Sequence, residues 1–175
     1  CIRDRRIRDP PAGRMIDLDK LECLLREDTP LIDTRSPVEF AKGSLPTAIN
    51  LPLMTDDERE AVGTCYKEHG QDAAVRLGQE LVSGNRKAKR VEAWQAFAAQ
   101  HPSGALFCFR GGMRSEIAQR WLRDAGIDYP RIKGGYKEMR RWLIESTDQL
   151  IEQAQLLLLG GPTGAAKTRI LNEGN

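Results

Sequence analysis

The chain has 175 residues, 40% of them apolar, so it can bury one ordinary hydrophobic core and has no room for a second domain of similar size. Its 27 basic and 25 acidic residues give a formal net charge of +2, so overall charge favours neither nucleic acid nor a membrane as partner. No apolar run approaches the roughly 20 residues of a membrane span, and no secretory signal follows the basic N-terminus, so we expect a cytoplasmic protein.

Cysteine and histidine are too scattered to form a metal site or a disulfide framework. None of the four cysteines belongs to a Cys-x-x-Cys pair: Cys1, Cys23, Cys65 and Cys108. His69 and His101 are isolated in polar segments, so we expect no metal ligand and no catalytic histidine. The remaining chemistry is that of an individual thiol.

The sequence divides into three parts. Residues 1–14 are basic and lack apolar periodicity, so we expect a disordered, solvated tail. Residues 15–148 form the main domain, and residues 149–175 start a strand, a glycine-rich loop and a helix that breaks off. Because the sequence begins at Cys1 and ends within this unfinished pattern, we expect a fragment of a longer protein.

The main domain alternates apolar strands with amphipathic helices. Asp17 can cap a helix that ends before Pro30, and the strand at residues 31–33 then runs into a loop at residues 34–37. Helices are predicted at residues 56–66, 72–82, 89–99 and 115–125, and strands at residues 105–107 and near 131–132. A last helix carries Met139 and Trp142. This alternation predicts an α/β fold with a parallel sheet covered by helices on both faces.

The most informative segment is the loop between a buried strand and a helix that begins near Ser115. Its sequence is Cys108-Phe109-Arg110-Gly111-Gly112-Met113-Arg114-Ser115. Backbone N–H groups of such a loop point into one concavity, and the helix dipole adds roughly half a positive charge at the N-terminus. The loop therefore predicts an anion site with a thiolate at Cys108.

Each residue type in this loop suits a cysteine nucleophile that faces an anion. Gly111 and Gly112 allow positive φ and close approach of a substrate, while Arg110 and Arg114 can neutralise phosphate, thiosulfate or selenophosphate. The predicted anion-binding residues are Arg110, Gly111, Gly112, Met113, Arg114 and Ser115. A thiolate held there is nucleophilic at neutral pH; the alternative is a buried, inert cysteine at the end of the strand.

A second glycine-rich loop follows a strand predicted at residues 155–159. Its sequence is Gly160-Gly161-Pro162-Thr163-Gly164-Ala165-Ala166-Lys167-Thr168, similar to a phosphate-binding P-loop. The predicted nucleotide-binding residues are Gly161, Gly164, Lys167 and Thr168. Ala166 replaces the usual glycine before the lysine, and its Cβ would crowd the phosphate. A plain glycine turn is the alternative, and we expect no useful nucleotide binding by this chain alone.

The segments around the Cys108 loop resemble the rhodanese superfamily. Residues 31–40 and 43–52 are similar to its first signature, and Ile132-Lys133-Gly134-Gly135-Tyr136 is similar to its closing strand and turn. In that superfamily the active cysteine opens a loop between a central strand and a helix, which is the place of Cys108 here. The resemblance further implies that Asp33 and Arg35 order loops near the site and take no part in catalysis.

More narrowly, residues 21–168 resemble the tRNA 2-selenouridine synthase family. The resemblance is carried by residues 50–53, 57–59, 62–67 and 126–130, and by a P-loop that follows the rhodanese unit. It implies a transferase that replaces sulfur by selenium in wobble 2-thiouridine of tRNA. It also implies Cys108 as the reactive thiolate, selenophosphate and geranyl diphosphate as co-substrates, an S-geranyl intermediate and no tightly bound cofactor. Cys65 lies in one family-like segment, but no glycine loop or basic cluster activates it, so a structural role is favoured there.

Three other functions stay open. The spacing Cys108-x5-Arg114 resembles cysteine-dependent phosphatases, in which the cysteine attacks phosphorus and the arginine binds the equatorial oxygens. A generic thiosulfate sulfurtransferase would use the same loop. A non-catalytic binding module would leave Cys108 incidental. The family-like middle segment and the trailing P-loop speak against the phosphatase.

Overall fold

The computed structural model describes residues 13–155, 160–166 and 168–169. The chain divides into two compact units, one ending at Arg141 and the other beginning at Trp142. Of the predicted basic tail, residues 1–12 lie outside the described residues. Within the described ranges, no helix combines the length and the apolar character that crossing a bilayer requires.

The first unit is built on a five-stranded sheet, and all its strand pairs are parallel. The strands are β1 Met15–Ile16, β2 Leu31–Asp33, β3 Ala48–Asn50, β4 Ala105–Phe107 and β5 Arg131–Ile132. Their spatial order is β1-β5-β4-β2-β3. In the middle of the sheet, Ile32 of β2 lies opposite Leu106 of β4, and every residue of both strands is buried. The predicted α/β fold with a parallel sheet is therefore confirmed.

Six α-helices accompany this sheet in the described part of the chain. They are α1 Leu21–Arg26, α2 Pro37–Ala41, α3 Asp56–Leu81, α4 Gly84–Gln100, α5 Met113–Asp124 and α6 Gly135–Gln153. Thr55 begins α3 with a capping box, because its hydroxyl accepts from the Glu58 N–H and its own N–H donates to the Glu58 carboxylate.

The hydrophobic core fixes α4 and α5 in place. Trp94 and Phe97 of α4 are buried as predicted, and the Trp94 indole N–H donates to the carbonyl of Leu51 at 2.9 Å. The Trp121 ring of α5 lies 6.0 Å from the Trp94 ring, and Leu122 is fully buried in the same cluster. This packing sets where the N-terminus of α5 meets the end of β4.

The two helices predicted at residues 56–66 and 72–82, separated by Gly70, are both present. They belong to one element, α3, which is kinked where Gly70 takes φ 81° and ψ −176°. Gly70 separates the two helices as predicted, and the second helix begins without an intervening loop.

Some element boundaries differ from the sequence predictions. The expected loop is present at residues 34–36, but Pro37 already begins α2, since proline fits the first helical position and Ser36 pairs with Glu39 in a capping box. Asp17 precedes a short 3-10 turn, Leu18–Lys20, and α1 begins only at Leu21. The strands β1 and β3 were not predicted, and α5 begins at Met113, two residues before the predicted start.

The second unit contains the predicted P-loop segment. Gly161, Gly164 and Thr168 are exposed, and Gly164 and Ala166 have φ of 88° and 52°. Residues 156–159 of the predicted strand and Lys167 lie outside the described residues. The nucleotide-binding role of this segment therefore stays a prediction.

Candidate active site at the Cys108 loop

Cys108 directly follows β4, and its side chain meets polar groups. The residue is 3% exposed. Its Sγ lies 3.3 Å from the Ser115 hydroxyl and 3.8 Å from the Gly112 carbonyl oxygen. The Ser115 hydroxyl in turn donates to the Gly112 carbonyl at 2.9 Å. A rotation of that hydroxyl would turn its proton toward a thiolate at Cys108, so the sulfur has a hydrogen-bond donor within reach.

Two helix N-termini converge on the loop that carries Cys108. Gly112 is the N-cap of α5, so the first backbone N–H groups of that helix point toward the loop. From the other side, the N–H groups of Tyr136 and Lys137 in α6 donate to the carbonyls of Cys108 and Phe109, both at 2.9 Å. The loop is therefore fixed by backbone bonds while the sulfur faces α5.

Glycine is required where the Cys108 loop touches the start of α6. Gly135 has φ 60°, and a Cβ built there would lie 2.2 Å from the Cys108 carbonyl oxygen and 2.5 Å from the Gly111 nitrogen. Gly111 has φ 66°, and its Cβ would lie 2.7 Å from the Gly134 nitrogen. The two backbone segments pack directly on each other, so any side chain at Gly135 would displace the loop.

The two loop arginines have different surroundings. Arg110 is exposed and forms no ion pair with any residue that the structure describes. Arg114 is held by the Glu39 carboxylate of α2, with N–O distances of 2.5 and 3.2 Å. Arg59 adds a further contact to Glu39 at 3.2 Å. The sequence analysis did not identify Glu39 as a site residue. The spacing of Ser36 and Glu39 indicates a capping box, but nothing in the sequence indicates that Glu39 contacts Arg114.

The charges around Glu39 favour its ionised form. Burial raises the pKa of the Glu39 carboxyl, but the hydrogen bond and charge of Arg114, the Ser36 backbone N–H and the charge of Arg59 outweigh burial. The pKa of Glu39 therefore lies below its usual value. The carboxylate holds the guanidinium of Arg114 in one orientation beside the loop.

Glu39→Gln is expected to lower the free energy of unfolding by about 1–2 kcal/mol at pH 7, because Arg114 loses a charged partner. Folding lowers the pKa of Glu39 below its usual value of 4.5. The stability that ionised Glu39 contributes is therefore complete above pH 4.5 and is lost as the pH falls through the lower pKa of the folded state. Urea unfolding of both proteins from about pH 7 to pH 3 measures the difference. A difference that stays constant down to pH 3 would contradict this assignment. Glu22→Gln, which removes an exposed ion pair with Arg26, is the matched control.

A buried ion pair supports the loop from β2. The Arg35 guanidinium contacts the Asp33 carboxylate at 2.6 Å, and their side chains are 2% and 0% exposed. Arg35 also donates to the Gly43 carbonyl and lies 3.8 Å from the centre of the Tyr136 ring. Ser44 donates to Asp33 at 3.0 Å. The pair thus links β2, the segment after α2 and the start of α6, in line with the ordering role expected for both residues.

Two more residues at the loop were missed. The Arg131 guanidinium of β5 donates to the Gly111 carbonyl at 2.8 Å, and Tyr136 provides both the ring under Arg35 and the N–H for Cys108. The sequence places Arg131 on a predicted strand and Tyr136 in the closing turn. It carries no signal for their contacts, since these depend on how β5 and α6 lie beside β4.

The other thiols lie in acidic surroundings. Cys65 is half-buried on α3, in a shallow depression that it shares with Glu60, Glu68 and His69. Cys23 is exposed, and its hydrogen bond to Glu27 raises the pKa of its thiol. Among the described residues, no three histidine, cysteine or acidic side chains come together where they could hold a metal ion.

The comparisons with known proteins agree on the family. Residues 17–141 match the rhodanese-like domain family. The chain is 59% identical over 155 residues to tRNA 2-selenouridine synthase of Marinobacter nauticus, which covers 89% of this chain and 42% of that protein. It is 57% identical over 150 residues to the protein of the same name from Photobacterium profundum, covering 86% of this chain and 41% of that one.

The chain thus spans about two fifths of the length of the curated relatives that it matches. Among solved structures, it is similar to the N-terminal domain of a Clostridium difficile 630 protein thought to bind ATP or GTP. The sequences are 28% identical, the TM-score is 0.61, and the match covers 74% of this chain and 98% of that one. From Asp17 to Arg141, the chain belongs to the rhodanese-like domain family.

Proposed function

We propose that this chain is the rhodanese-like part of a tRNA 2-selenouridine synthase, a transferase acting in the cytoplasm, with Cys108 as its reactive thiolate. The observation that carries the proposal is the position of Cys108. Its sulfur lies at the N-terminus of α5, beside the Ser115 hydroxyl and the Gly112 carbonyl. Similarity over about 90% of the chain to proteins of that name supports the same function.

The substrate in this proposal is tRNA with 2-thiouridine at the wobble position. The sulfur of 2-thiouridine first attacks the allylic carbon of geranyl diphosphate; a C–S bond forms, a C–O bond breaks and diphosphate leaves. The Cys108 thiolate then bonds to carbon 2 of the base, the bond from that carbon to the geranyl sulfur breaks and geranylthiol leaves with a proton. Selenium of selenophosphate next bonds to carbon 2, and the bond to the Cys108 sulfur breaks, which returns the thiolate. Water cleaves the Se–P bond, releasing phosphate and 2-selenouridine. No external oxidant or reductant is needed.

The residues of the Cys108 loop have distinct tasks in this scheme. The thiolate of Cys108 takes part in the exchange at carbon 2, and the Ser115 hydroxyl stabilises its negative charge. The amides from Gly111 to Ser115 and the exposed guanidinium of Arg110 bind selenophosphate. Arg114 uses two of its N–H groups on Glu39, so its other N–H groups can bind the donor.

The proposal is tested by complementation with the intact parent gene. A cell that lacks tRNA 2-selenouridine should regain that nucleoside, identified by mass, when it expresses the parent. Absence of the selenium nucleoside in spite of stable expression would refute the proposal. Hydrolysis of an aryl phosphate that depends on Cys108 would then favour the phosphatase, whereas turnover of thiosulfate alone would favour a generic sulfurtransferase.

A further inference from the structure

An apolar cavity of about 660 Å³ lies beside the Cys108 loop and has no part in the chemistry described so far. Its walls come from the segment that precedes α3, from α3 itself, from the start of α4 and from α5. The principal apolar residues of these walls are Leu53, Val62, Ala74, Val75, Ile117 and Trp121. The volume lies within the roughly 300–1,000 Å³ that is typical of small-molecule sites.

The cavity and the loop share residues. Met113 and Arg114 belong to the Cys108 loop and also line the cavity, so an apolar group in the cavity can be attached to a molecule bound at the loop. Met113 is 46% exposed and Tyr66, which also lines the cavity, is 58% exposed. Large exposed apolar side chains that line one cavity are a surface that an apolar ligand would cover.

Positive charge accompanies the apolar walls. Lys87 and Arg120 line the cavity together with Arg114, and neither Lys87 nor Arg120 forms an ion pair within the described ranges. Lys87 instead lies over the Trp121 ring, 4.7 Å from its centre. Apolar walls with cations among them suit a ligand that combines a hydrocarbon chain with anionic groups.

We propose that this cavity binds the ten-carbon geranyl chain of the S-geranylated wobble uridine while the base lies at the Cys108 loop. This inference rests on the proposed function, in which the alkylated sulfur must reach the loop. The hydrocarbon covers the apolar walls, and the neighbouring RNA phosphates lie near Lys87 and Arg120. Unmodified 2-thiouridine has no apolar group to fill this volume, so the cavity distinguishes the intermediate from the starting nucleoside.

The test compares two anticodon stem-loop RNAs, one with S-geranyl-2-thiouridine and one with S-methyl-2-thiouridine at the wobble position. Calorimetric titration of the full chain should show the geranyl RNA binding at least about tenfold more tightly, because many more buried CH₂ groups contribute. Ala74→Leu should reduce the affinity for the geranyl RNA about tenfold and leave the affinity for the methyl RNA unchanged. Ala73→Leu, its neighbour outside the cavity lining, should change neither affinity.

Equal affinities for the two RNAs, or a geranyl affinity that Ala74→Leu does not alter, would overturn the proposal. If circular dichroism shows that Ala74→Leu is unfolded, Gly78→Leu replaces it. Gly78 also lines the cavity, and a Cβ there would meet only Val62, at 3.7 Å.

The outcome separates this proposal from the proposed function. If the parent makes 2-selenouridine but filling the cavity has no effect on binding, the cavity assignment alone is wrong. If the cavity selects the geranyl RNA but the parent makes no selenium nucleoside, the proposed function is wrong and the binding site stands.

Discussion

Cys108→Ser is expected to reduce selenium transfer by about 10³-fold or more in the purified parent enzyme, because a serine hydroxyl stays protonated where a thiolate is needed. The replacement is nearly isosteric, and the new hydroxyl keeps the Ser115 hydroxyl as its polar neighbour. We therefore expect the urea unfolding midpoint to change little. The measurement is the initial rate of 2-selenouridine formation from S-geranylated RNA and selenophosphate.

Cys65→Ser is the matched control for this prediction, since Cys65 is half-buried on α3 in acidic surroundings. Its rate should stay within about twofold of the wild type, since its thiol lies beside Glu60 and Glu68 in a depression that the Cys108 loop does not line. If the rate falls with Cys65→Ser and is unchanged with Cys108→Ser, then Cys65 on α3 is the reactive cysteine.

Arg35→Met is expected to lower the free energy of unfolding by about 3–5 kcal/mol, the largest stability effect that the fold predicts. The Asp33 carboxylate, 0% exposed, would lose its cationic partner and keep only the Ser44 hydroxyl and a backbone N–H. The contact with the Tyr136 ring would also be lost, and with it a support of the Cys108 loop. Urea unfolding at pH 7 measures the loss.

Arg26→Met is the control, because the exposed pair of Arg26 and Glu22 should contribute no more than about 1 kcal/mol. The double variant Asp33→Asn with Arg35→Met should be more stable than the sum of the two single losses predicts, since no uncompensated charge is then buried. Strictly additive losses would show that the two side chains act independently.

The strands that could be predicted are those whose own residues show, by their apolar character, that the strand is buried. All residues of β2 and β4 are buried, and both strands begin with apolar residues between turns: Leu31 and Ile32 in β2, and the whole of β4. By contrast, β1 has two residues, and β3 includes the half-exposed Ile49. Their strand conformation depends on pairing with β5 and β2, which no local pattern reveals.

In the candidate site, too, the local features could be predicted from the sequence and the contacts between distant segments could not. The order of strand, thiol, glycine pair and helix could be read from the sequence, because backbone geometry and dipole direction follow from it. The partner of Arg114 could not, since Glu39 lies 75 residues away and reaches the loop only through the packing of α2. Gly135 resembled a turn residue, but its close approach to the Cys108 carbonyl needed the fold.

The account depends most on Cys108 being a reactive thiolate that faces an anion site. The direct measurement is the rate of iodoacetamide alkylation of each cysteine at pH 7, followed by peptide mass spectrometry, with and without selenophosphate. We predict that Cys108, although 3% exposed, reacts before the exposed Cys23, whose thiol pKa is raised by Glu27, and that selenophosphate slows its reaction. Alkylation of Cys23 and Cys65 while Cys108 reacts only in urea would contradict the account.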